Sequence, residues 1–219
     1  MVAILLLVSL ISCHASGPRT KSPLRNASKT RHINLGTAAS ALHLEDPTYT
    51  RILGSEFAQL EPENEMKFAR VHPEPDRYDF RSADRLVSLA GAHGMLVRGH
   101  TLVWHRQVPP WVSAGNFSPA ELSAILEDHI TTVMQHYASR VYAWDVVNEA
   151  FNDNRTMRNT IWYDQPGTGY AGMGTRYIEQ ALRWAHRRSH ESKVGCDLRN
   201  GTGQAAWHTA RWYRVSGTC

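Results

Sequence analysis

An α/β fold with a parallel sheet is the architecture that this 219-residue sequence predicts. Three observations carry that expectation. Short apolar runs of strand character alternate with longer stretches of helical periodicity, in the order strand, helix, strand, helix. Polar and aromatic clusters close three of those runs, at the strand ends where a parallel α/β barrel builds its active site. Apolar residues form 42% of the chain and charged residues 20%, too apolar a mixture for a disordered chain.

The chain opens on an apolar run over residues 1–11, too short to span a bilayer. The run ends in Ser12-Cys13-His14-Ala15-Ser16, where Cys13 and Ala15 form a small-x-small cleavage pattern. Residues 1–16 are therefore expected to be a secretory signal, although no Lys or Arg precedes the run. Leu10-Ile11-Ser12-Cys13 also reads as a lipobox, in which Cys13 would carry a lipid anchor. Residues 17–30 hold Pro, Ser and Lys without hydrophobic periodicity and read as a linker.

The globular pattern begins at residue 31. Strands are expected over 32–37, 56–60, 95–100 and 141–148, and helices over 47–54, 82–93, 118–137 and 176–186. The third helix has the cleanest pattern. Leu122, Ile125, Leu126, His129, Ile130, Val133, Met134 and Tyr137 recur at three- and four-residue spacing and fall on one face. Ser118 with Glu121 makes a capping box, with Pro119 at the first helical position. Gly94, directly after the second helix, suits a C-terminal cap. Residues 187–219 differ in composition: five Arg and one Lys against two acidic residues, with two of the three Cys and no periodicity. They are expected to form a disordered tail unrelated to the rest, from a shifted reading frame or as a basic extension.

Formal net charge is +4, from 24 basic and 20 acidic residues, and no basic cluster suggests nucleic acid as a partner. Three cysteines do not make a disulfide framework. No apolar run beyond the N-terminal one suggests a transmembrane span.

Chemistry concentrates in three places: residues 61–67 (Glu-Pro-Glu-Asn-Glu-Met-Lys), residues 99–105 (Gly-His-Thr-Leu-Val-Trp-His) and residues 144–149 (Trp-Asp-Val-Val-Asn-Glu). Carboxylates, Asn, Lys and His hydrogen-bond hydroxyl groups, and an indole offers a flat face to a pyranose. Glycoside hydrolysis needs paired carboxylates, one of which protonates the leaving oxygen. Glu149 is the candidate acid, because it ends an apolar strand where partial burial favours the protonated form. Each cluster has a plainer reading. Glu61, Glu63 and Glu65 taken alone suit a solvated loop, Trp104 a core position, and Asp145 a structural network. His100 and His105, five apart on a strand, point to opposite faces and do not suggest a metal.

Together, residues 62–67, 99–105 and 144–149 resemble glycoside hydrolase family 10, with Ile130-Thr131-Thr132-Val133-Met134 in register before the fourth strand. The resemblance covers residues 31–186. It implies a (β/α)8 barrel, incomplete here at about four βα units, and endo-1,4-β-xylanase activity with retention of configuration. It implies Glu149 as general acid/base and Asn148 as the partner of the 2-hydroxyl at the cleavage site. Glu63, Asn64 and Lys67 would bind the sugar on the non-reducing side, and His100 and Trp104 would form the floor of the cleavage subsite. Gln107 and Trp111, on the next loop, are expected to line the cleft. No cofactor or metal is implied, and the partner would be xylan or a xylo-oligosaccharide outside the cell.

The family's nucleophile is a second Glu, in a Thr-Glu-Leu-Asp-like run at strand seven. These 219 residues hold no such run; after His186 the carboxylates are Glu191 and Asp197. The chain taken alone is therefore expected to be inactive. A non-catalytic xylan-binding remnant is a second reading, and another barrel glycosidase such as a cellulase a third. An open barrel edge would also leave room for self-association.

Overall fold

The computed structural model describes residues 24–163 and 176–191. The expected signal at 1–16 with Cys13, and residues 192–219 of the expected tail, lie outside the described residues. Four strands form one parallel sheet: β1 (Gly36–Ala39), β2 (Gln59–Pro62), β3 (Leu96–Val103) and β4 (Ala143–Val147), in the spatial order β1-β2-β3-β4. Sequential order with every pair parallel is how half of a (β/α)8 barrel runs. Among the described residues, β1 and β4 each pair on one side only.

Among the described residues, seven α-helices accompany them: α1 (Leu24–Lys29), α2 (Pro47–Glu56), α3 (Phe68–Val71), α4 (Arg81–Ala92), α5 (Pro110–Ser113), α6 (Pro119–Tyr137) and α7 (Arg176–Glu191). Asp46 caps α2 by accepting from the Thr48 and Tyr49 amides, with Pro47 at the first position. The capping box of α6 forms as expected, the Ser118 hydroxyl and the Glu121 carboxylate each accepting from the other's amide. Gly94 takes φ +59 after α4, and its neighbour Met95 donates back to Ala90 O at 2.8 Å, which closes the helix end.

The core lies between the sheet and the helices. Leu60 of β2, Leu102 of β3 and Leu86 of α4 are fully buried, as are Leu126, Ile130 and Val133 of α6. Each such side chain contributes about 1.5–3 kcal/mol by leaving water. The predicted face of α6 is the buried one, with Ile125 at its margin.

Three expectations need correction. Residues 24–29 are not linker: they form α1, where the Leu24 amide donates to Glu56 Oε2 at 2.8 Å and Arg25 Nη1 to His93 O at 2.9 Å. These are long-range ties, invisible to local periodicity. The last helix runs to Glu191, five residues beyond the expected end at His186. Finally, the polar clusters do not all follow their strands. Glu61 and Pro62 pair with Ala38 and Ala39 inside the ladder, and β3 continues through His100 to Val103, whose partner is Val147. Neighbouring strands extend the pairing past the point where apolar character fades.

Candidate active site

The C-terminal ends of β2, β3 and β4 bring their side chains to one mouth. After β2, the Glu63 amide donates to Ala39 O at 2.9 Å, and the Glu63 side chain is exposed. Lys67 Nζ donates to Asn64 Oδ1 at 3.0 Å and lies over the Trp104 ring, 4.7 Å from its centre. Burial pushes the Lys67 ammonium below the usual lysine range; Glu63, Glu65, Glu149 and Glu61 pull it back. Gln107, on the loop after β3, donates from Nε2 to the same Asn64 oxygen at 2.9 Å. Asn64 thus joins two loops through one acceptor.

At the end of β4, Glu149 Oε2 accepts from Trp104 Nε1 at 3.0 Å, and its side chain keeps 41% of its surface exposed. A carboxyl held on one oxygen and open on the other side can hand a proton outward. Glu149 takes φ +52 and Gln107 φ +50, left-handed conformations that cost about 1 kcal/mol or more each for side chains of this kind. The Glu149 turn is held by Arg158, whose Nε donates to Glu149 O at 3.0 Å and whose amide donates to Ala150 O at 2.8 Å. Asn148 is half-buried, its amide bonded to Val103 O at 2.9 Å. His105 Nδ1 lies 3.8 Å from Glu149 Oε2, and burial, then Arg158, lowers the His105 imidazole below its ordinary value.

Beneath this mouth runs a charged layer across three strands. His100 Nδ1 donates to Asp145 Oδ2 at 2.9 Å, and Arg98 bonds Asp145 Oδ1 from Nη2 at 2.7 Å and Nε at 2.9 Å. Arg98 Nε also reaches Glu61 Oε2 at 3.5 Å. Burial pushes the Glu61 carboxyl above the usual carboxylate range, with His100 opposing. Glu61, His100 and Asp145 bring one possible ligand atom each within 4.8 Å of one another. The Arg98 guanidinium lies against both carboxylates and offsets one of their two negative charges.

The predicted residues Glu63, Asn64, Lys67, His100, Trp104, Asn148 and Glu149 therefore sit at or just beneath one strand-end face. Trp111 does not join them. It turns inward against Phe68 and His72, and its Nε1 donates to His72 O at 3.3 Å. Glu65 is not in a solvated loop but buried. Two contributors carried no sequence signal, Arg158 and Trp162, whose Nε1 donates to Trp104 O at 2.9 Å. Both come from a stretch without periodicity.

A parallel βα sheet with carboxylates, an amide, a lysine and an indole at its strand ends is the arrangement of a barrel glycosidase. The chain belongs to glycosyl hydrolase family 10, whose model matches residues 23–196. It is 42% identical over 183 residues to endo-1,4-beta-xylanase B of Thermotoga neapolitana, covering 82% of this chain and 51% of the relative. It is 44% identical over 165 residues to a beta-1,4-xylanase of Dictyoglomus thermophilum, covering 74% and 44%. The crystal structure of xylanase 10B from Thermotoga petrophila RKU-1 in complex with xylobiose superposes with a TM-score of 0.71 at 40% identity, covering 80% of this chain and 52% of that one. The chain thus spans about half the length of the relatives it matches, as four strands of an eight-stranded barrel require.

Proposed function

We propose that this chain carries the glycone-side half of an endo-1,4-β-xylanase site, with Glu149 as general acid/base. The observation behind this reading is the linked set Gln107–Asn64–Lys67–Trp104–Glu149, which joins sugar-binding chemistry to one exposed carboxyl through contacts of 2.9 to 4.7 Å. Glu63 and Asn148 add hydroxyl partners, and His100, fixed by Asp145, supplies the floor. The xylanases among the relatives favour xylan as the polymer. Retention needs a second carboxyl about 5–5.5 Å from the first, and these 219 residues offer no matched one. Taken alone they bind xylo-oligosaccharides without turning them over. Export through residues 1–16, with Cys13 as an alternative lipid anchor, and pairing of two copies through β1 and β4 complete the proposal.

Calorimetric titration with xylotriose and cellotriose tests the binding, and reducing-sugar release from xylan tests the chemistry. We expect xylotriose to bind in preference to cellotriose and sugar release to match a blank. Preference for cellotriose would favour a cellulase. Release above the blank that vanishes in Glu149→Gln would show that a second carboxyl works here. Sedimentation of a monomer at high concentration would remove the pairing proposal.

A further inference from the structure

Glu65 stands between Asn64 and Lys67 in sequence, yet it is buried and its carboxylate is taken up by the loop after β1 and by the Asn64 backbone. Oε1 accepts from the Ala41 amide at 2.6 Å and from the Ser40 hydroxyl at 3.1 Å. Oε2 accepts from the Asn64 amide at 3.0 Å. Ser40 and Ala41 follow β1, so this one carboxylate ties the loop after β1 to the loop after β2. Ser40 is itself anchored, its amide donating to the Tyr49 hydroxyl at 3.0 Å. On the other side of the same residue, the Asn64 side chain accepts from Lys67 and from Gln107 of the loop after β3. The backbone of Gln107 is held independently, its carbonyl accepting from the Ala69 amide at 2.8 Å.

We infer that Glu65 is a positioning residue: it holds Asn64 from behind, so that Asn64 can present Lys67 and Gln107 to the sugar across three strand-end loops. The role rests on the xylan reading for the identity of the sugar, but not for the clamp. Three donors converge on an acceptor-only group, a set that a carboxylate satisfies and an amide cannot. A glutamine of the same shape must turn its NH2 towards either the Asn64 amide or the Ser40–Ala41 donors. That leaves one buried N–H facing another.

The test compares the chain with Glu65→Gln by nuclear magnetic resonance and by xylotriose titration. In the variant we expect the Ala41 and Asn64 amides to lose at least about tenfold of their exchange protection, while Gly99 and Trp144 in the sheet keep theirs. The Gln107 side-chain amide should shift, and xylotriose affinity should fall about tenfold. A purely structural role would lower the melting temperature and leave the Gln107 signal and the affinity of folded molecules unchanged. That result would overturn the inference. If Glu65→Gln does not fold, Ser40→Ala removes a single donor and should move the Gln107 signal less but measurably; an unmoved signal overturns the inference equally. If the unaltered chain binds no xylotriose, the xylan reading fails, and the Gln107 and exchange measurements still decide the clamp.

Discussion

Trp104 Nε1 donates to Glu149 Oε2 at 3.0 Å, across 45 residues of sequence. The same indole lies beneath Lys67 Nζ. One side chain therefore orients the candidate proton donor and supports a candidate sugar-binding cation. Trp104→Phe keeps an aromatic face but removes the donor. Xylotriose affinity should fall about tenfold, with the melting temperature little changed because Trp104 is only half-buried. Calorimetry paired with thermal melts checks this.

Acid should destabilise the fold through His129. It is fully buried in α6 and stacked on Phe68 with ring centres 3.6 Å apart. Burial first, then His72, holds it well below its ordinary value. The unfolded chain therefore binds a proton, near pH 6.5, that the folded chain refuses. Its stabilisation is fully present above about pH 6.5 and is lost as pH falls towards the depressed folded value, by up to about 1.4 kcal/mol per pH unit. Urea midpoints between pH 7.5 and 4.5 should show this slope, and His129→Phe should flatten it by about one proton.

Two glycines should fail for different reasons. Gly99 pairs with Trp144 across β3 and β4, and a Cβ there would overlap the indole. Gly99→Ala should cost about 1–3 kcal/mol by forcing the sheet apart. Gly94 has open space around its absent Cβ but sits at φ +59. Gly94→Ala should cost about 1 kcal/mol through the backbone alone. Denaturant midpoints for the two variants, with Gly91→Ala as an exposed helical control, separate the causes.

Asp145 is the hub of the charged layer, with Arg98 and His100 bonded to its two oxygens and its side chain 2% exposed. Asp145→Asn keeps the size but leaves Arg98 without its closest carboxylate. Removing one partner of a buried pair costs about 3–5 kcal/mol; Glu61 beside Arg98 should hold the loss to about 2–3 kcal/mol. A double variant with Glu61→Gln should lose more than either alone, which chemical denaturation can measure.

Much of the fold was legible in local pattern. The buried stripe of α6 follows from its three- and four-residue spacing, its start from Ser118 and Glu121, and the end of α4 from Gly94. Strand limits were less legible. His100 to Val103 and Glu61 to Pro62 carry polar residues yet continue the ladder, because backbone pairing does not depend on side-chain polarity. Helix α1 escaped because long-range bonds to Glu56 and His93 hold it, with no apolar face to announce it.

Sequence alone determined which residue types stand at which strand ends, because hydrophobic period and capping are local physics, and three motifs in register identify a family. Only the tertiary structure decided what those residues touch. It buried Glu65 behind the loop that exposes Glu63, two positions away. It turned Trp111 inwards while Trp104, seven residues earlier, met Glu149. It also brought Arg158 to the backbone of Glu149 from a stretch without pattern. Partners such as Glu65 with Ala41, Trp104 with Glu149 and Trp111 with His72 lie 24 to 45 residues apart and depend on how strands are placed beside one another, while Arg158 reaches Glu149 across nine residues of irregular chain; local spacing records neither.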